Sequence, residues 1–184
     1  MPVKSVQDLF VQELRDIYHA ERQITKALPR MAKAASSPEL KQAFEDHLEQ
    51  TRGQIERLDQ VFEQLDLPKR AKKCEAMEGL IEEALSTMEE IEDDSVLDVG
   101  MIINAQKVEH YEIAGYGSLV ALARQLGHED VASLLAETLD EEKETDQKLN
   151  EIALSIANPQ AAEDGDTGSA QNGRKQRGRA RASA

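Results

Sequence analysis

The chain holds a single cysteine, Cys74, in 184 residues, so no internal disulfide framework can form. A reducing, cytoplasmic location is the expectation. Long apolar runs are also missing. No stretch approaches the roughly 20 residues that span a bilayer, and MPVKSVQDLF has neither the basic region nor the apolar core of a signal peptide. No membrane association is expected. Aromatic residues make up 3% of the chain, and no segment alternates apolar and polar residues as a half-buried strand does. What is plentiful instead is Ala, Leu, Glu, Gln and Lys, the composition of helices.

Positive charge is scarce except at one end. The net charge is −14, yet the segment from Pro159 onward sets five bases, Arg174, Lys175, Arg177, Arg179 and Arg181, against three acids, Glu163, Asp164 and Asp166. That segment carries +2 and the remainder −16. An acidic body is a poor nucleic-acid surface and a good attractor of cations. Residues 1–158 are read as one helical domain, and 159–184 as a disordered tail with a basic end, because the tail has almost nothing to bury. The stretch Arg174 to Arg181 is the one candidate for a weak nucleic-acid contact.

Helical periodicity organises the body. A first helix from about Ser5 to Ala35 has a seam of Phe10, Leu14, Ile17, Ile24, Leu28 and Met31 at spacings of three and four, with Pro29 expected to kink its last turns. SSPEL turns the chain into a second helix reaching about Leu65, whose seam is Leu40, Phe44, His47, Thr51, Gln54 or Ile55, Leu58, Phe62 and Leu65. A shorter amphipathic helix carrying Met77, Leu80, Ile81, Ala84, Leu85, Met88 and Ile91 links this hairpin to the next. Two further helices, about Ser95 to Leu126 and Glu129 to Ala157, meet at Gly127. The last has the seam Val131, Leu135, Thr138, Glu142, Thr145, Leu149, Ile152 and Ile156. The expected fold is all-α: a ferritin-like four-helix bundle of two antiparallel hairpins with an extra crossover helix.

Carboxylates interrupt these seams at one height. Glu21 lies fifteen residues before the turn at Ser36, and Glu112 and Glu142 lie fifteen before and fifteen after Gly127. Glu109 is one turn further along, about 4.5 Å at the helical rise. The second helix reaches this level near Thr51, flanked by His47, Gln50 and Gln54. Four carboxylates cannot all remain ionised in a dry core unless cations offset them. Hard ions with oxygen ligands are the natural partners, and iron or manganese suits carboxylate with some imidazole. The candidate metal site is Glu21, Glu109, Glu112, Glu142, His47, Gln50, Gln54 and Asp146. His19 and His110 stand beside glutamates and are read as supporting or surface groups, and Cys74, in the basic stretch KRAKKCE, is read as a thiol whose pKa the neighbouring lysines lower.

The segments LFVQELRDIYHAERQITKALPRMAKAA, HLEQTRGQIERLDQVFE, KKCEAMEGLIEEA, AQKVEHYEIAGYGSLVALARQLG and LLAETLDEEKETDQKL together resemble the ferritin-like stress-protein family YciE/YciF. That resemblance implies a compact helical bundle, commonly dimeric, related in architecture to rubrerythrin and manganese catalase. It maps Glu21, the Glu109 and Glu112 pair, and Glu142 onto the family's metal-facing glutamates. Two departures stand out. Where a ferritin-like second helix supplies Glu-x-x-His this chain reads Gln50-Thr51-Arg52-Gly53, and the last helix reads Glu142-Lys143-Glu144-Thr145 with Asp146 following. The expected function is dinuclear binding of iron or manganese in a stress-response protein, with peroxide or oxygen as reactant. The alternative is a metal-free, dimeric interaction protein. Self-association is expected through the helix that contains Met101, Ile102, Ile103, Leu119, Val120 and Leu122.

Overall fold

A computed structural model of the chain describes residues 3–157. The tail and its basic stretch lie outside the described residues. Within them are five helices and no strand: α1 Val6–Ala34, α2 Pro38–Gln64, α3 Glu75–Glu90, α4 Asp94–Gln125 and α5 Glu129–Ala157. None is long and apolar enough to cross a membrane.

Local chemistry sets the helix ends. The Ser5 side chain accepts from the Asp8 amide at 3.0 Å, and Ser37 caps α2 with Pro38 in its first turn. Asp93 accepts from the amides of Ser95 and Val96 at the start of α4. At the end of α4 the Gly127 amide donates to Arg124 O and the His128 amide to Ala123 O, with Gly127 at φ +79°. That paired closure needs a left-handed residue, which glycine adopts without a Cβ clash. The same two bonds close α2, from Asp66 to Glu63 O and from Leu67 to Phe62 O, with Asp66 at φ +52°. Despite Pro29, α1 continues to Ala34 as helix.

Around the core the long helices follow the order α1, α2, α5, α4, each packed on its neighbours, while α3 lies against α4 and α1. Side-chain bonds give the relative directions. Arg57 meets Glu141, Gln50 meets Thr145 and Asp46 meets Lys148, so α2 and α5 run antiparallel. Likewise Tyr111 meets Asp16 while Asp98 reaches Ser36, so α4 runs opposite to α1. Phe10, Leu14, Leu40, Leu58, Phe62, Leu119, Leu135 and Ile152 are fully buried between them. Burial of such a side chain contributes about 1.5–3 kcal/mol.

Packing on α1, α3 and α5 explains why α4 is apolar on so many faces. Of the six residues read as a self-association surface, Met101, Ile102, Leu119 and Val120 are buried within the chain and Leu122 is half-buried. Ile103 is left 51% exposed. The apolar excess of this helix therefore goes mainly into intrachain contacts.

Asp98 ties α4 to the first turn. Its buried carboxyl accepts from the Ser36 amide at 2.9 Å, the Ser36 hydroxyl at 2.6 Å and the Ser37 amide at 2.8 Å. Removing it leaves two backbone donors without partners. Asp98→Ala is expected to cost about 3 kcal/mol, read by denaturant unfolding; a loss below about 1 kcal/mol would show that water replaces these bonds.

Candidate metal centre

Four helices each contribute to one buried cluster. Glu21 comes from α1, His47 and Gln54 from α2, Glu109 and Glu112 from α4, and Glu142 from α5, and none exceeds 5% exposure. Single ligand atoms of His47, Glu109, Glu112 and Glu142 all lie within 4.8 Å of one another. Glu21 borders them, its Oε1 accepting a short hydrogen bond from the buried Tyr116 hydroxyl. Among the described residues, nine buried side-chain nitrogen and oxygen atoms lack a hydrogen-bond partner, and eight belong to these six residues. Buried polar groups ordinarily find partners. So dense a set of unmet acceptors has the character of a cation site, and the cluster offers the donors to hold a metal ion.

Electrostatics point the same way. Burial raises the pKa of Glu21, Glu109, Glu112 and Glu142, that of Glu142 to about 7, and the negative charges they present to one another push most of them further. Buried among one another, these acids cannot all be ionised at once without a compensating cation. Burial lowers His47 to about 4, so its imidazole is neutral near pH 7. His47 Nδ1 faces Gln50 Oε1 at 3.4 Å, and Nε2 lies 3.3 Å from Glu109 Oε1 without hydrogen-bond geometry. With Nδ1 donating to Gln50, the Nε2 lone pair is turned toward the carboxylates, ready to ligate.

These shifts predict an unusual pH dependence for the metal-free protein. A buried acid with a raised pKa holds protons that the unfolded chain releases, so stability is highest below about 4.5 and is lost as pH rises through the folded pKa. His47 acts oppositely, its contribution growing between about 4 and 6.5. Above 6.5 only the acids remain, and metal-free unfolding free energy is expected to fall steadily from pH 6.5 to 8. Urea titrations of the chelator-treated protein measure this; a flat or rising profile would show that the four acids are ionised and compensated by the protein itself.

The family model described as a domain of unknown function, DUF892, matches residues 5–162. The chain belongs to this family. It is 52% identical over 162 residues to Protein YciF of Escherichia coli strain K12, covering 88% of this chain and 98% of that protein. The crystal structure of the E. coli stress protein YciF superposes with a TM-score of 0.82, covering 85% of this chain and 99% of that one. YcfI of Rhodopseudomonas palustris gives 0.79 at 51% identity, over 80% of this chain and 94% of that chain. A two-domain protein of Anabaena variabilis with DJ-1/ThiJ/PfpI-like and ferritin-like domains shares the fold at 17% identity, with a TM-score of 0.56 over 96% of this chain and 42% of that chain.

In this DUF892 member the remaining candidates take other positions. Gln50 stands behind His47 and also accepts from the Thr145 hydroxyl at 3.3 Å. Gln54 is fully buried, and its amide nitrogen donates to Glu141 at 3.1 Å. Asp146 is outside the group of converging atoms, accepting from Gln106 at 3.2 Å and facing the exposed His110 at 3.4 Å. His19 anchors the crossover segment, its Nδ1 accepting from the Cys74 amide at 3.0 Å. Cys74 corrects the sequence reading. Its side chain is buried against the Tyr111 hydroxyl at 2.9 Å and caps α3, and burial, with Asp16 beside it, pushes the thiol pKa up rather than down.

Two participants were not read from the sequence. Tyr116 lies one helical turn beyond Glu112 on α4, and that spacing of four was the available signal. Arg57 donates to Glu141 at 2.7 Å and to the Thr138 hydroxyl at 2.6 Å, placing a positive charge behind Gln54 and Glu142. Its sequence signal was position alone, one turn past Gln54 on α2.

Proposed function

We propose that this chain binds two divalent metal ions, iron or manganese, between Glu21, His47, Glu109, Glu112 and Glu142, and acts in stress handling of dioxygen or peroxide. The single observation that carries this reading is the set of eight buried, unpartnered atoms. Charge supports two ions. Four carboxylates and a neutral imidazole balance two divalent cations, whereas one ion would leave two uncompensated charges in the core. Iron or manganese held there would supply one-electron chemistry toward dioxygen or peroxide.

The surrounding residues prepare the centre. Gln50 fixes the His47 ring, Tyr116 donates to Glu21, and Arg57 offsets negative charge beneath Glu142. Phe44, Leu149 and Ile24 are buried beside His47 and Glu109 and line a cavity there. The description of YciF as a stress protein and the ferritin-like domain of the Anabaena neighbour fit this role. Iron-loaded protein should consume peroxide or dioxygen faster than the same iron in buffer, and Glu142→Ala should abolish the difference. Equal rates for protein-bound and free iron would overturn the reactive part of the proposal.

A further inference from the structure

The cavity beside His47 and Glu109 has a volume of about 70 Å³, room for several water molecules at the roughly 10–15 Å³ that each requires. Most of its lining is apolar, but one wall is not. Along that wall α2 and α5 face each other with polar pairs on successive turns. The outer pair is exposed, with Lys148 Nζ donating to Asp46 Oδ2 at 3.2 Å. The inner pair is half-buried, with the Thr145 hydroxyl donating to Gln50 Oε1 at 3.3 Å. Beyond it stand His47 Nε2 and Glu109 Oε2, buried and without hydrogen-bond partners. Polar side chains thus run from solvent to two residues of the centre.

Charge outside the mouth favours cations. Lys148 also borders a surface groove whose other charged residues are Glu39, Glu144 and Glu151. Clefts dominated by one sign of charge concentrate counter-ions. Lys148 is the exception in this set, and its ammonium covers the carboxylate oxygen that an arriving cation would meet first. An exposed pair of this kind contributes little to stability. Lysine's flexible stem lets the ammonium swing aside.

We propose that this polar wall is the route by which cations reach the centre, and that the Asp46 and Lys148 pair is its gate. Asp46 takes the hydrated ion as Lys148 moves off, and the oxygens of Gln50, Thr145 and Glu109 then replace its waters on the way in. The inference rests on the metal reading above and concerns the rate at which the site is loaded. Uptake of Co²⁺ by the full-length, chelated protein, followed by visible absorption in a stopped flow, tests it. Lys148→Glu should load roughly tenfold faster than wild type at low salt, a gain that shrinks as ionic strength rises. Asp46→Asn should load several-fold more slowly. The final Co²⁺ content should be the same in each.

A bulky disulfide-linked label on Lys148→Cys should slow loading, and reduction of the label should restore it. The same label on Lys143→Cys, an exposed position on α5 away from the mouth, should change nothing. Cys74 is buried, out of the reagent's reach. Equal rates in wild type, Lys148→Glu and Asp46→Asn, or a Lys148→Cys label without effect, would overturn the proposal. Labelled and reduced samples are the same folded protein, so the comparison holds even where a charge variant fails to fold. Co²⁺ content separates the two readings. Full content at unchanged rates defeats the route alone, whereas a wild-type chain that takes up no Co²⁺ defeats the centre and the route with it.

Discussion

Replacing Glu112 with leucine is expected to stabilise the metal-free protein and to remove its response to metal. Both oxygens of this carboxyl are buried without a partner, and it sits among Glu21, Glu109 and Glu142. Keeping such a group protonated at pH 7, against the usual 4.5, costs about 3 kcal/mol. Leaving it charged costs more. Leucine of similar volume removes that penalty, and exchanges of buried ionic groups for apolar ones typically gain about 1–4 kcal/mol. The melting temperature of the chelated variant should therefore rise by several degrees, at roughly 2–4 °C per kcal/mol for a domain of this size. An ordinary core residue would behave oppositely. If Glu112→Leu melts below the chelated wild type, Glu112 is a packing element and the functional assignment of the cluster fails.

The second large effect is metal linkage. A ligand that binds only the folded chain stabilises it by about 4 kcal/mol at a thousandfold excess over its dissociation constant. Chelation of metal-loaded wild type should then lower the melting temperature by roughly 8–16 °C. The gap should widen from pH 6 to 8, because Glu142, near 7, and its raised neighbours must lose protons before they ligate. His47 is already neutral across that range and adds nothing to the slope. A chelation gap independent of pH would mean that the metal binds elsewhere, at ordinary surface carboxylates.

Local patterns carried much of this fold into the sequence. Phe10, Leu14, Ile17, Ile24, Leu28 and Met31 repeat at helical spacing and all are buried. Glu112 and Glu142 could be set level because a short turn fixes the register of the helices on either side of it. Counting from Gly127 was enough to place their height, since rise per residue is constant. What counting could not supply was rotation and partner. Asp146 is only four residues from Glu142, yet it sits outside the converging atoms, beside Gln106 and His110.

Long-range bonds were the least legible. Nothing near Asp98 in the chain announces that it closes a turn 62 residues away, and nothing near Arg57 names Glu141 as its partner. Cys74 misled for the same reason. Its sequence neighbours are lysines, but in the fold it is buried beside Asp16, and burial together with that carboxylate favours the neutral thiol over the thiolate. Polar groups inside a bundle answer to whichever helix faces them, and that is decided by packing of the whole chain.

Metal analysis of the full-length protein, purified after growth in iron- and manganese-replete medium, bears most directly on the central claim. About two ions per chain are expected, with anomalous diffraction placing them between Glu21, His47, Glu109, Glu112 and Glu142, and with the content falling below one in Glu112→Leu. Fewer than one ion per chain in the wild type, or an unchanged content in the variant, would contradict it.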